Sequence, residues 1–118
     1  MSVETVDLRH AMVVVGLANP PTIFNSEGLA AVNPVVRNAQ GSYSINLAES
    51  LLPNYAAGMQ AAVYATVNFP GASSVRFMIC GMDTVLGTQI DLLAYDGANA
   101  LQDGATVTVI VDKFPRRL

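Results

Sequence analysis

Acid–base or nucleophilic chemistry in this chain would have to use very few groups. His10 is the only histidine and Cys80 the only cysteine. A Ser-His-Asp or Cys-His arrangement would need His10, which stands beside Ala11-Met12-Val13 at the mouth of an apolar run with no accompanying motif. It reads as a histidine at the end of a strand. Cys80 follows Val75–Ile79 and precedes Gly81, the setting of a small hydrophobe more than of an activated thiolate. One cysteine excludes a disulfide within the chain, and no second cysteine or histidine supports a zinc site. Asp83, Asp91, Asp96, Asp103 and Asp112 fall late in the chain, but their spacing fits no calcium loop. Asp96-Gly97 and Asp103-Gly104 read as turns. Paired carboxylates for sugar hydrolysis would want aromatic platforms, and the chain has no tryptophan. No glycine-rich phosphate loop is present. The expectation is a protein without catalytic residues, metal or cofactor.

The elements that would position these residues are strands. Tyr43, Ile45 and Leu47 alternate with Ser42, Ser44 and Asn46. Val63, Ala65, Val67 and Phe69 alternate with Ala62, Tyr64, Thr66 and Asn68. Val75, Phe77 and Ile79 alternate with Ser74 and Arg76, and Ala105, Val107, Val109 and Val111 with Thr106, Thr108 and Asp112. Side chains two apart share a face of a strand, so each segment predicts one dry face. Residues 11–15 and 88–95 are apolar on both faces, which predicts burial on both. Asn19-Pro20-Pro21 ends the first strand, and Pro53-Asn54 and Pro70-Gly71 mark loops. No window carries a helical stripe. The pattern predicts one all-β domain over 1–118, an antiparallel two-sheet sandwich of jelly-roll type running from about residue 8 to 112 between short arms.

Composition points to what covers that domain. Of 118 residues 13% are charged and 52% hydrophobic, whereas roughly 25% charged is usual. A domain of this size leaves much of its surface in water. So few charges predict that other subunits cover part of it. The net charge of −3 argues against nucleic-acid binding. No apolar run is long enough to cross a bilayer, and Met1-Ser2-Val3-Glu4 does not open a secretory signal. Val13 and Val15, with Ala11, and Leu93 with Tyr95 are the expected oligomer interface, since they sit on the doubly apolar strands. Half of the six basic residues lie in the tail, where Lys113, Phe114, Arg116 and Arg117 are expected to contact a partner protein.

The stretch from Gly41 to Val111 resembles the C1q-like and related β-sandwich heads of phage fibres and other phage virion proteins. The resemblance lies in Gly41-Ser42-Tyr43-Ser44-Ile45-Asn46-Leu47, the Pro53-Asn54-Tyr55 loop and Ala62-Val63-Tyr64-Ala65-Thr66-Val67. It continues in Leu92-Leu93-Ala94-Tyr95-Asp96-Gly97 and in Asp103-Gly104 with Thr106-Val107-Thr108-Val109. It implies a virion location, a homotrimer and no catalytic residues. A head that begins almost at Met1, without a shaft, is expected to be a capsid decoration protein seated on the major capsid protein. The alternative is the receptor- or carbohydrate-binding head of a fibre, with Tyr55, Tyr64 and Tyr95 as the available sugar platforms.

Overall fold

A computed structural model of the chain describes residues 9–50, 61–69, 75–82 and 87–113. The protein is all-β. Its strands are β1 (Arg9–Gly16), β2 (Thr22–Glu27), β3 (Val35–Ala39), β4 (Ser42–Asn46), β5 (Ala61–Phe69), β6 (Val75–Met82), β7 (Gln89–Asp96) and β8 (Thr106–Lys113). They form two four-stranded antiparallel sheets, ordered β2-β1-β8-β5 and β3-β4-β7-β6, packed as a sandwich. In chain order β6 and β7 of one sheet fall between β5 and β8, which pair with each other in the other sheet, and this gives the interleaved, jelly-roll-like order.

Alternation builds the core. Ala11, Val13, Val15 and Leu17 meet Val107, Val109 and Val111 from the first sheet, and Tyr43, Ile45, Ile90, Leu92 and Ala94 close on them from the second. Each is at most 2% exposed. Burying an aliphatic side chain of this kind contributes about 1.5–3 kcal/mol. The dry faces expected for β4, β7 and β8 are the observed ones.

Two strands depart from the expected register, and a β-bulge causes each departure. In β5, Val63 and Val67 pack on the core, but pairing with β8 shifts between Val67 and Phe69. Phe69 therefore leaves the dry face and is 66% exposed. In β6, pairing with β7 shifts between Val75 and Phe77. Val75 is buried, whereas Phe77 and Ile79 turn outward, and Met78 and Cys80 face the core in their place. One extra residue in a strand reverses the facing of all that follow. The edge strand β2 was not apparent in the sequence, and all six of its residues are exposed. With neither face dry, it has no alternation to detect.

The β3–β4 turn shows why one glycine is required. Gly41 has φ +70°, and a Cβ there would stand 2.6 Å from the Gln102 amide nitrogen and 2.9 Å from the Ala94 carbonyl oxygen. The β7–β8 loop can lie against this turn only because Gly41 has no side chain. The expected turns at Pro53-Asn54 and Pro70-Gly71 lie outside the described residues.

Candidate functional site

The reactive groups occupy structural positions. His10, on β1, bonds through Nε2 to the Glu49 carbonyl oxygen at 2.9 Å. With Gly28, Ala48 and Glu49 it lines a shallow cleft of about 270 Å³ at the end of the sandwich. No cysteine and no second histidine stands with it there. Cys80 packs against the core, and burial pushes its thiol above the ordinary value. A raised pKa lowers the thiolate fraction, the opposite of what a nucleophile needs. Among the described residues no group of three histidine, cysteine, aspartate or glutamate side chains could hold a metal ion. Asp83 lies outside the described residues.

The aspartates of the β7–β8 loop hold backbone in place. Asp96 Oδ1 accepts from the Ala98 and Ala100 amides at 2.8 and 2.9 Å. These bonds keep its carboxyl below the usual carboxylate range. Asp103 is the hub of a partly buried corner. Its Oδ2 accepts from Arg37 Nε at 3.0 Å and Nη2 at 2.8 Å. Its Oδ1 accepts from the Gly41 amide at 2.8 Å and from the Tyr43 hydroxyl. Burial alone would push Asp103 up, but the bonds from Arg37, Tyr43 and Gly41 outweigh it and hold the carboxyl low. Burial, then the bond to Asp103, raises the Tyr43 phenol far above its usual value. Four bonds from Arg37, Gly41 and Tyr43 converge on Asp103, so the corner fastens the β3–β4 turn to the β7–β8 loop.

The outer face of the second sheet differs, because part of it is apolar and exposed. Ile90, Leu92 and Ala94 of β7 point inward and are fully buried, so Asp91, Leu93 and Tyr95 point outward. Phe77 pairs with Tyr95, Ile79 with Leu93 and Gly81 with Asp91. The result is three rows across β6 and β7: an aromatic row, an aliphatic row, and a row of glycine and aspartate. The Phe77 and Tyr95 rings stack at 5.1 Å between centroids and 12° between planes. Phe77 is 42% and Ile79 54% exposed, while Leu93 and Tyr95 are half-buried. Large apolar side chains grouped on an outer face make it the candidate interaction surface.

The expected oligomer interface is thereby divided. Leu93 and Tyr95 belong to this outer face. Val13 and Val15, with Ala11, lie in the chain's own core at 1%, 0% and 1% exposure and present nothing to a partner. The reason is again the period of two: β1 turns Met12 and Val14 outward, not the residues between them. Phe77 and Ile79 join the face in their place. Sequence reasoning missed them because Phe77-Met78-Ile79-Cys80 is apolar at every position and hydrophobicity cannot fix its register. Among the tail residues, Lys113 ends β8, paired with Ala61, and Phe114, Arg116 and Arg117 lie outside the described residues.

No protein-family model matches the chain. No curated protein and no solved structure matches it significantly.

Proposed function

We propose that this chain is a non-catalytic assembly module of the virion: a capsid decoration protein that seats on the major capsid protein, associates with copies of itself and stabilises the shell. The observation that supports this reading best is the outer face of β6 and β7, where Phe77 and Ile79 are 42% and 54% exposed beside Leu93 and Tyr95. Such a face belongs against protein. The low charge content and the virion-head resemblance of residues 41–111 agree with it. Stabilisation follows from linkage, since a subunit that binds only the assembled shell stabilises the assembled shell.

The tail is the proposed contact with the shell, through Lys113, Phe114, Arg116 and Arg117. Because β8 runs to Lys113, a clean truncation begins at residue 114. The test compares particles with and without this protein by electron microscopy and heat challenge. Density on the shell and a higher disruption temperature are expected when it is present. Truncation of 114–118 is expected to reduce occupancy with the sandwich still folded. Particles that neither bind the protein nor change in stability would reject the reading.

A fibre-head reading draws on the stacked Phe77–Tyr95 pair, since exposed rings offer platforms to sugars. Of the other platforms, Tyr64 gives its hydroxyl to Asp112 Oδ2 at 2.8 Å, and Tyr55 lies outside the described residues. Specific signals on a glycan array, lost in Tyr95→Ala, would favour that reading over decoration.

A further inference from the structure

We infer that the outer face of β6 and β7 is covered by the same face of a second copy, packed about a two-fold axis that runs along the Ile79–Leu93 row. This deepens the assembly reading and rests on it, since it names what covers the face.

The three rows supply the argument. The aliphatic row, Ile79 and Leu93, lies in the middle. On one side, two residues along each strand, stands the aromatic row of Phe77 and Tyr95. On the other, at the same spacing, stands the row of Gly81 and Asp91. Two residues of strand are about 6.6 Å. A half-turn about the central row sets Ile79 against Ile79 and Leu93 against Leu93. It also exchanges the flanking rows. Phe77 of one copy then lies over Gly81 of the other, and Tyr95 over Asp91.

Both exchanged contacts are complementary. A Cβ built on Gly81 meets no atom within 4 Å, so the glycine leaves an open notch beside Ile79. An aromatic ring from above can fill it. The Tyr95 hydroxyl arrives at the Asp91 carboxylate, which accepts at present from Gln89 Nε2 at 2.9 Å and has lone pairs to spare. Arg76, the exposed residue at the β6 bulge, sits at the aromatic end. The half-turn carries it to the acidic end of the second copy, just past Gly81 on β6 and diagonal to Asp91 on β7. Phe77 and Gly81, and likewise Tyr95 and Asp91, therefore lie at equal distances from one row of one surface. That is the signature of an isologous contact, in which a single patch is its own complement. Two sheets so packed lie about 10 Å apart, the ordinary face-to-face spacing.

The contact is small. Three rows across two strands cover roughly 300 Å² per copy, against about 800 Å² per partner in a standard interface. The pair is therefore weak in free solution. Copies held on a common scaffold gain from effective concentration.

Sedimentation equilibrium of the intact protein over a wide concentration range tests the inference. A reversible monomer–dimer equilibrium is expected. Ile79→Lys is expected to weaken it by about tenfold or more, with circular dichroism unchanged, because a charge would face its own copy across the axis. Arg76→Glu and Asp91→Lys are each expected to weaken the dimer about fivefold, and the double variant to recover most of that loss. Ile79→Cys in a Cys80→Ser background is expected to be linked to its own copy by a short bis-maleimide reagent, since a two-fold contact along this row brings position 79 opposite itself. A protein that stays monomeric at every concentration would overturn the inference. So would a trimer with no dimer, a dimer indifferent to Ile79→Lys, or charge variants that fail to recover. A monomer that still seats on particles overturns the pair and leaves decoration standing. A dimer that ignores particles supports the pair and removes decoration.

Discussion

The outer face of the second sheet has two halves that obey the same pleat and end in opposite chemistry. On the β3–β4 side, Asn38 Nδ2 donates to Ser44 Oγ at 2.8 Å, and Gln89 Nε2 reaches both Ser44 Oγ and Asp91 Oδ1. That half closes its polar groups upon one another. On the β6–β7 side, Phe77 and Ile79 are exposed beside the half-buried Leu93 and Tyr95. Both halves cover the same core, so stability does not explain the difference. The neighbouring half is mostly polar, with Val36 opposite Ser44 as its apolar member. The contrast leaves the β6–β7 half as the more apolar of the two surfaces, which is what the proposed contact outside the chain requires.

Adjacent residues of β7 give the sharpest way to break this comparison. Leu92 is fully buried and its neighbour Leu93 is on the outer face. Leu92→Asp should cost at least 4–5 kcal/mol and abolish folding, because an unpaired charge would enter an apolar interior. Val109→Asp should do the same from the opposite sheet, where Val109 is 2% exposed. Chemical denaturation or loss of dispersed NMR signals reads both. A folded Leu92→Asp variant would mean that the inner and outer faces of β7 are exchanged, and the comparison would collapse.

The Asp103 corner comes next in size. Asp103→Ala leaves the hydroxyl of the fully buried Tyr43 without its acceptor and should cost about 2 kcal/mol. The corner also sets an acid limit. Asp103 and Asp96 both have folded-state values below the unfolded value of about 3.9. The stability they contribute is fully present above that value and is lost as pH falls through their folded values. Denaturation followed from pH 6 down to pH 2 should show this loss, and Asp103→Ala should flatten it. An unchanged acid limb in Asp103→Ala would remove the corner from the account of stability.

Leu93→Lys should leave stability within about 1 kcal/mol, since surface substitutions usually change little, and should abolish self-association as read by light scattering. A Leu93→Lys variant that still associates would show that the apolar half is not the contact. The smallest effects belong to the reactive groups. His10→Ala and Cys80→Ala should each leave stability and particle attachment within about 1 kcal/mol of the parent protein. A large functional loss in either, with the fold intact, would reveal chemistry at that residue.

By itself the sequence determined the fold class and most of the core. The alternations of Tyr43/Ile45/Leu47, Ile90/Leu92 and Val107/Val109/Val111 are set by a period of two, a local property of the extended chain. The turn character of Asp96 was equally legible, but Asp103 makes no turn of its own: it stands in irregular chain and bonds to the distant Arg37, Gly41 and Tyr43. Tertiary structure decided the rest. Val13 and Val15 went into the chain's own core because β1 lies between β2 and β8 and faces the second sheet, a placement that local pattern does not contain. Phe77, Ile79 and Phe69 went outward because bulges in β6 and β5 move the register by one residue. Composition is blind to such a bulge where every residue is apolar, since either facing buries a similar amount of hydrocarbon. Only the pairing of β6 with β7 and of β5 with β8 chooses between them, and in the second sheet that choice set Phe77 and Ile79 outward beside Leu93 and Tyr95.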